Sequence, residues 1–180
     1  MAHLTPLWTD APVTDAAAIA RFLELRGITF ETWDIPAAAQ ALAAKARLSD
    51  TEKSQLLAQF AEVLASKADD AGYKSADVIA IRADLPGLDT ALAKFDKVHY
   101  HDDDEVRAIV GGAGIFGFIG DDGRQFLLKV EAGEYISVPA GTWHWFYCDA
   151  ARNITALRLF REGAGWEAHY RDTARGGAAA

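Results

Sequence analysis

The chain has 180 residues, of which 51% are hydrophobic and 24% charged, values that fit one globular domain with its own core and exclude an intrinsically disordered chain. The formal net charge is -8 and no segment clusters Lys and Arg, so we do not expect nucleic acid as a partner. The chain shows neither a signal-like N-terminus nor about 18 consecutive apolar residues, and Cys148 is its only cysteine, so we expect no membrane partner, no intrachain disulfide and a cytoplasmic location.

The N-terminal region has the pattern of helices. Thr14 or Asp15 can cap a first helix, and Gly27 follows it where a left-handed residue is favoured. The apolar residues of this helix recur at roughly helical spacing and are Ile19, Phe22, Leu23 and Leu25. Pro36 fits the first turn of a second helix over residues 37–46, because the missing N–H of proline costs nothing there.

Ser49 begins the third predicted helix. Because Glu52 lies three residues further on, the two residues can form a capping box. The apolar residues that follow recur at i, i+3, i+4 and i+7, and they are Leu56, Leu57, Phe60, Val63 and Leu64. The sequence therefore predicts one amphipathic helix across this stripe.

From Asp77 onward the pattern changes to short β-prone runs separated by glycine turns, with the boundary near Gly72. The runs cover residues 78–81, 105–110, 115–119, 125–130, 135–138, 144–148 and 154–160. The turn signals cover residues 111–114, 121–123, 131–133 and 139–141. Many short strands indicate a sandwich or barrel. We expect a single domain over residues 1–180, made of a helical lead-in (1–72), a β-barrel (73–172) and a flexible tail (173–180).

Two histidines and a glutamate in one strand-like segment are candidate metal ligands. Side chains alternate between the two faces of a strand, so residues 99, 101, 105 and 107 share a face and can all point into a barrel. His144 follows the Pro139–Gly141 turn, which can aim it toward the same interior. Imidazole and carboxylate ligands suit Fe, Ni, Mn, Co or Zn, and the absence of a thiolate argues against a structural zinc site. We expect one catalytic metal ion per chain, held by His99, His101, Glu105 and His144.

The same residues fit two motifs that are typical of cupins. The first motif is His-x-His, three or four residues, Glu, six residues and Gly, and it is matched by His99, His101, Glu105 and Gly112. The second is Gly, five residues, Pro-x-Gly, two residues and His, and it is matched by Gly133, Pro139, Gly141 and His144. Ala93 and Cys148 depart from the motifs at positions that are not ligands. The resemblance implies a mainly β fold, the cupin double-stranded β-helix or jelly-roll barrel, with N-terminal helices packed outside.

The segment His99-Tyr-His-Asp-Asp-Asp-Glu-Val-Arg107 resembles the signature of acireductone dioxygenases. Further similarity lies in Leu88-Asp89, in Lys94-Phe95 and in the segment from Arg158 to Trp166, and the whole resemblance covers roughly residues 77–171. Ala108 and Trp145 stand where the family usually has an aromatic residue and an arginine, which bears on pocket shape and on the preferred substrate side chain.

The resemblance implies a metal-dependent oxidoreductase of methionine salvage, and so of methionine biosynthesis. Its substrate is an acireductone, an enediol-ketone that it cleaves with O₂. With Fe²⁺ the products are formate and the 2-keto acid precursor of methionine, and with Ni²⁺ they are formate, carbon monoxide and a shorter acid. The sequence does not choose between the two metals.

Arg107 shares a face with Glu105, so we expect it to be the catalytic counter-charge of the substrate anion; the alternative is an ion pair with Asp102–Asp104. By resemblance, Phe95, Phe146 and Trp166 bind the substrate, although aromatic residues in this setting can equally be core.

Two other functions remain open: another cupin enzyme, such as a flavonol-type dioxygenase or an isomerase, and a non-catalytic metal- or ligand-binding cupin with a filled pocket. We expect a monomer.

Overall fold

The computed structural model of the protein describes residues 1–9, 11–161 and 167–176. Five helices lie within these residues, namely α1 (Ala16–Glu24), α2 (Ala37–Ala43), α3 (Asp50–Ala58), α4 (Ala61–Ala71) and α5 (Leu88–Leu92). The ten strands within them are β1 (His3–Pro6), β2 (Thr29–Thr32), β3 (Ser75–Ile81), β4 (His99–Tyr100), β5 (Glu105–Ile119), β6 (Gln125–Glu131), β7 (Glu134–Val138), β8 (His144–Cys148), β9 (Ile154–Phe160) and β10 (His169–Tyr170). The predicted mainly β fold is confirmed.

Strand β5 belongs to two sheets. The first sheet has the order β1-β6-β5-β8-β4-β10, and the second has the order β2-β7-β5-β9-β3. The pairings that build both sheets are antiparallel. Residues 105–112 of β5 pair with β7 and β9, whereas residues 113–119 pair with β6 and β8. The strand thus passes from one sheet into the other.

A glycine makes this passage sterically feasible. The β5–β9 register shifts between Ile109 and Gly111, and Gly112 adopts a φ of +70°. A Cβ at Gly112 would lie 1.8 Å from the carbonyl oxygen of Asn153, so a side chain there is excluded. Residues 111–114, which were predicted to be a turn between two strands, are therefore a bend within one continuous strand, and that prediction was wrong.

The two faces of the first part of β5 contact different layers. Val106, Ala108 and Val110 belong to an apolar cluster that also contains residues of α2, α3 and the α4 N-cap. Ile109, on the opposite face, belongs to the cluster to which both sheets contribute. Helices therefore cover the outer face of the second sheet, as predicted, and the odd-numbered residues in the first part of β5 point to the interior.

The helix predictions hold in part. Asp15 caps α1 by accepting from the Ala18 N–H at 2.8 Å, and Ser49 forms the predicted capping box with Glu52. The predicted second helix is shorter than expected, since α2 ends at Ala43. The stripe predicted to be one helix is split into α3 and α4 at Phe60, whose φ of -115° is not helical. Phe60 is 3% exposed, so burial of its ring in the core accompanies the break.

The N-terminal region also contains β1 and β2, which the sequence analysis did not predict. β1 pairs with β6, and β2 pairs with β7. At the other end of the chain, the backbone of Ala174 and Gly176 hydrogen-bonds to the Gln125 side chain at 2.9 and 2.6 Å, so the beginning of the expected tail lies against β6. Among the described helices, none is long and apolar enough to cross a bilayer.

Arg82 connects α2 to the second sheet. Its side chain is buried, and its guanidinium donates to the carbonyl oxygens of Ala43 at 2.8 Å, Lys45 at 2.8 Å and Ile154 at 3.1 Å. It also donates to the Thr155 hydroxyl at 2.9 Å. One side chain therefore satisfies the C-terminal carbonyls of α2 and holds this helix on the barrel.

Arg82→Met is expected to lower the free energy of unfolding by about 2–4 kcal/mol, because it removes the buried donor that these carbonyl groups share. Chemical denaturation measures the change. Arg21→Met, at an exposed position of α1, is the matched control and should change the stability little. Equal stability of the two variants would contradict the connecting role of Arg82.

Candidate metal centre

Four buried side chains bring their ligating atoms together inside the barrel. The atoms belong to His99, His101, Glu105 and His144, and they lie within 4.8 Å of one another. These residues are between 1% and 4% exposed. The structure thus places the four predicted ligands in one cluster.

Strand pairing explains the convergence. His99 of β4 is the register partner of His144 in β8, and Glu105 begins β5. The turn before β8 is fixed by Gly141, which has a φ of +77° and donates its N–H to the His101 carbonyl oxygen at 2.9 Å. The two cupin motifs lie far apart in the sequence. In the fold they are joined by this backbone hydrogen bond and by the cluster of their ligand side chains.

Each histidine of the cluster is oriented by a backbone carbonyl. The Nδ1 atoms lie 2.7 Å from Lys97 O for His99, 2.8 Å from Glu167 O for His101 and 2.8 Å from Thr142 O for His144. A carbonyl oxygen can only accept, so each Nδ1 carries the proton and the neutral ring presents the Nε2 lone pair at the other side.

The remaining ligand, Glu105, also presents only acceptors to the centre. Its Oε2 lies 2.8 Å from His144 Nε2 and 3.2 Å from His101 Nε2. Neutral imidazoles with protonated Nδ1 atoms and a carboxylate would crowd lone pairs together, an arrangement that a cation at the centre stabilises. The cluster therefore fits a metal ion, and its nitrogen and oxygen donors suit a divalent transition metal.

At His99 and Glu105 the pKa shifts favour the deprotonated side chain that a metal ligand requires. Burial and the proximity of the His144 imidazole lower the pKa of His99 to about 4, which keeps the His99 imidazole neutral. Burial opposes ionisation of Glu105, but the charge of Arg107 and the contacts with the His101 and His144 imidazoles hold its pKa well below the usual value. Burial likewise opposes protonation of His101, but contact with Glu105 outweighs it and raises the pKa of His101.

Arg107 is the charged neighbour of the cluster. Its Nε donates to Glu105 Oε1 at 3.0 Å, and its Nη2 lies 2.9 Å from the same oxygen. Burial lowers the pKa of Arg107, whereas the charge of Glu105 opposes this shift. The acidic turn pairs elsewhere in the described contacts, since Asp104 binds Arg161 at 2.7 Å and Asp102 lies 2.7 Å from His169. The structure thus favours the interior location of Arg107 over an ion pair with that turn.

A cavity of about 240 Å³ lies beside Arg107. Phe95 and Phe146 line it, and the Phe146 N–H donates to the Phe95 carbonyl oxygen at 2.8 Å. The apolar residues that complete the wall are Ile79, Ile81, Leu85, Leu88, Ala91, Leu92, Ile109, Phe116 and Ile154. Trp166, the third predicted pocket aromatic, lies outside the described residues.

Sequence reasoning missed two parts of this site. Arg158 also lines the cavity and donates from Nε to Asp77 at 2.7 Å; it is the register partner of Arg107 in the β5–β9 pairing. Arg158 lies in the C-terminal segment that resembles the family, but the resemblance assigned no role to it. The carbonyl groups that orient the histidines left no signal, because every residue type has one.

Comparison with known proteins gives one consistent result. The family model described as the ARD/ARD' family matches residues 11–168. An acireductone dioxygenase from Leptospira interrogans is 42% identical over 159 residues, which cover 88% of this chain and 89% of that protein. An acireductone dioxygenase from Geobacillus kaustophilus is 41% identical over 152 residues, which cover 84% of each chain. A solved structure of acireductone dioxygenase from Bacillus anthracis, with a cadmium ion in its active centre, matches with a TM-score of 0.87 at 34% identity and covers 94% of this chain and 98% of that one.

Proposed function

Because the chain belongs to the acireductone dioxygenase family, a family of metal-dependent cupin enzymes, we propose that it cleaves an acireductone with O₂ at the centre formed by His99, His101, Glu105 and His144. The observation that carries this proposal is the convergence of the four ligands, together with Arg107, which binds Glu105 and also lines an apolar cavity. The reaction belongs to methionine salvage.

The cofactor is a divalent metal ion, and Fe²⁺ or Ni²⁺ is the proposed native ion. The donor set of three imidazoles and a carboxylate suits both, and the related Bacillus anthracis enzyme holds a divalent cadmium ion in its active centre. When bound, the ion supplies Lewis acidity and a template for the adjacent enediol and keto oxygens of the substrate.

The protein's own contribution to substrate activation is assigned to Arg107. A guanidinium has no free acceptor pair and cannot bind a metal, but it can hold the enediolate anion by charge-assisted hydrogen bonds. Its bond to Glu105 fixes where its remaining N–H groups point. Arg107 therefore favours the deprotonated, electron-rich form of the substrate that reacts with O₂.

The cavity is the proposed site for the apolar tail of the substrate. Among the described residues that line it, only Arg107 and Arg158 are polar, so water gains few hydrogen bonds there and an apolar chain is favoured. Phe95 and Phe146 supply the aromatic part of the wall. An open cavity of this kind is the opposite of the filled pocket expected for a non-catalytic cupin.

Two further properties are proposed from the sequence. A cytoplasmic location agrees with a chain whose single cysteine, Cys148, cannot form an intrachain disulfide. A monomer agrees with the proposed site, since all four proposed ligands come from one chain. Gel filtration with light scattering measures the second property directly.

Reconstitution with different metals tests the proposed reaction. Apoprotein loaded with Fe²⁺ should give formate and the 2-keto acid precursor of methionine, whereas the Ni²⁺ protein should give formate, carbon monoxide and a shorter acid. We expect one ion per chain from metal analysis, because the four ligands converge on one point. Oxygen uptake and product analysis with freshly generated acireductone make the measurement, and metal-free protein is the control. No oxygen uptake with either metal would refute the proposed function, and identical products would refute metal-dependent product choice.

A further inference from the structure

The segment 167–171, which we call the C-terminal strap, lies beside the strand that carries His99. Its strand β10 pairs with β4, so that Tyr170 is the register partner of His99 and His169 that of Tyr100. Beyond the pairing, the Arg171 N–H donates to the Val98 carbonyl oxygen at 3.0 Å. The strap therefore covers the whole strand that carries the first ligand.

One ligand depends on the strap in a way that the other two histidines do not. The carbonyl groups that orient His99 and His144 belong to residues two positions earlier in the same segments. The carbonyl that orients His101 belongs to Glu167, 66 residues away in sequence. Two ligands are thus oriented locally, whereas the tautomer and ring orientation of the third depend on a long-range contact.

A side-chain contact holds the strap next to this ligand. His169 Nε2 lies 2.7 Å from Asp102 Oδ2, and Asp102 directly follows His101. The ring of His169 also stacks on Tyr100, with ring centroids 4.8 Å apart and an interplanar angle of 18°. His169 therefore contacts the residue on each side of His101, and it is well placed to keep the Glu167 carbonyl in register with the His101 ring.

We propose that His169 and Asp102 are positioning residues that, through the Glu167 carbonyl, hold His101 in its metal-binding orientation and so slow the release of the metal. The inference rests on the proposed function of the centre. Neither side chain belongs to the four-ligand cluster, so both act through His101. The β10–β4 pairing still holds the strap when their bond is lost, but the strap loosens beside Glu167. The Glu167 carbonyl then withdraws for part of the time, and the His101 ring gains freedom to rotate away.

Metal release gives a direct test that does not need turnover. His169→Phe keeps an aromatic ring for the stack on Tyr100 but removes the bond to Asp102, and Asp102→Ala removes the bond from the other side. Loss of an outer partner of a ligand typically weakens metal binding roughly 10- to 100-fold, and we expect about a tenfold faster transfer of Zn²⁺ from each variant to an excess of chelator. The double variant should be no faster than the single ones, because both remove the same bond. His3→Phe, at an exposed position of β1, is the control and should release Zn²⁺ at the wild-type rate.

A second measurement separates positioning from general destabilisation. In the Zn²⁺ protein, ¹⁵N NMR of the imidazoles should show a changed or broadened His101 signal in both variants, with the His99 and His144 signals unchanged. Wild-type release rates in both variants, or equal perturbation of all three ligands, would overturn the proposal. Oxygen uptake by wild-type holoenzyme tests the proposed function separately, because the release rates of variant and control are compared without substrate.

Discussion

Glu105→Ala is expected to abolish stoichiometric metal binding and to lower the free energy of unfolding by about 3–5 kcal/mol. Glu105 links the two halves of the site, since Oε1 binds Arg107 and Oε2 faces His101 and His144. Its removal leaves a buried guanidinium without this counter-charge and takes the only anion out of the four-residue cluster.

Metal analysis and chemical denaturation measure the two effects on the same preparations. Glu24→Ala, at an exposed position of α1, is the matched control and should leave both properties near those of the wild type. Glu105→Gln should lose the metal but keep more stability than Glu105→Ala, since the amide oxygen still accepts from Arg107. If Glu105→Ala protein retained one ion per chain, Glu105 would have to be removed from the ligand set.

Arg107→Ala should reduce kcat/KM by roughly 10- to 100-fold while metal content stays near that of the wild type. The expected loss corresponds to one charge-assisted hydrogen bond to the substrate anion, about 1.5–3 kcal/mol. Arg107→Lys should recover only part of the activity, because an ammonium group restores the charge but not the planar pair of donors.

Steady-state kinetics and metal analysis decide the role of Arg107. Arg47→Ala is the control, because Arg47 forms an ion pair with Asp84 at the surface and such pairs contribute little. Normal kcat/KM in Arg107→Ala would exclude Arg107 from substrate binding. Loss of metal together with activity would instead assign Arg107 to support of Glu105.

The metal cluster was predictable because its pattern is local and periodic. Alternation along a strand places Glu105 and Arg107 on one face without knowledge of the rest of the fold, and the same rule pairs His99 with His101. The bend at Asp102 and Asp103, which separates β4 from β5, was not predicted. His144 was predicted as the remaining ligand because the turn at Pro139–Gly141 precedes it and can aim it toward the interior. The family resemblance then supplied the reaction, which no pattern of side chains specifies by itself.

The parts that sequence reasoning missed depend on long-range pairing. β1 and β2 have four residues each, too few to show a period, and they form only because β6 and β7 offer free edges. The bend at Gly112 resembles a turn in sequence, since glycine serves both purposes. The dependence of His101 on the Glu167 carbonyl is invisible because a backbone group has no residue type.

The position of β5 in both sheets also bears on when the protein can acquire its metal. Among the described pairings, β5 bonds to β6, β7, β8 and β9, all of which follow it in the chain. A nascent chain that has emerged from the ribosome only through Ile119 contains the complete first cupin motif but none of the strands that hold β5 in place. Such non-local pairing is slow to form, because each contact must first close a loop. The four-ligand centre therefore cannot be complete before synthesis has passed His144, and the pairing that holds β5 also needs the strand that begins at Ile154.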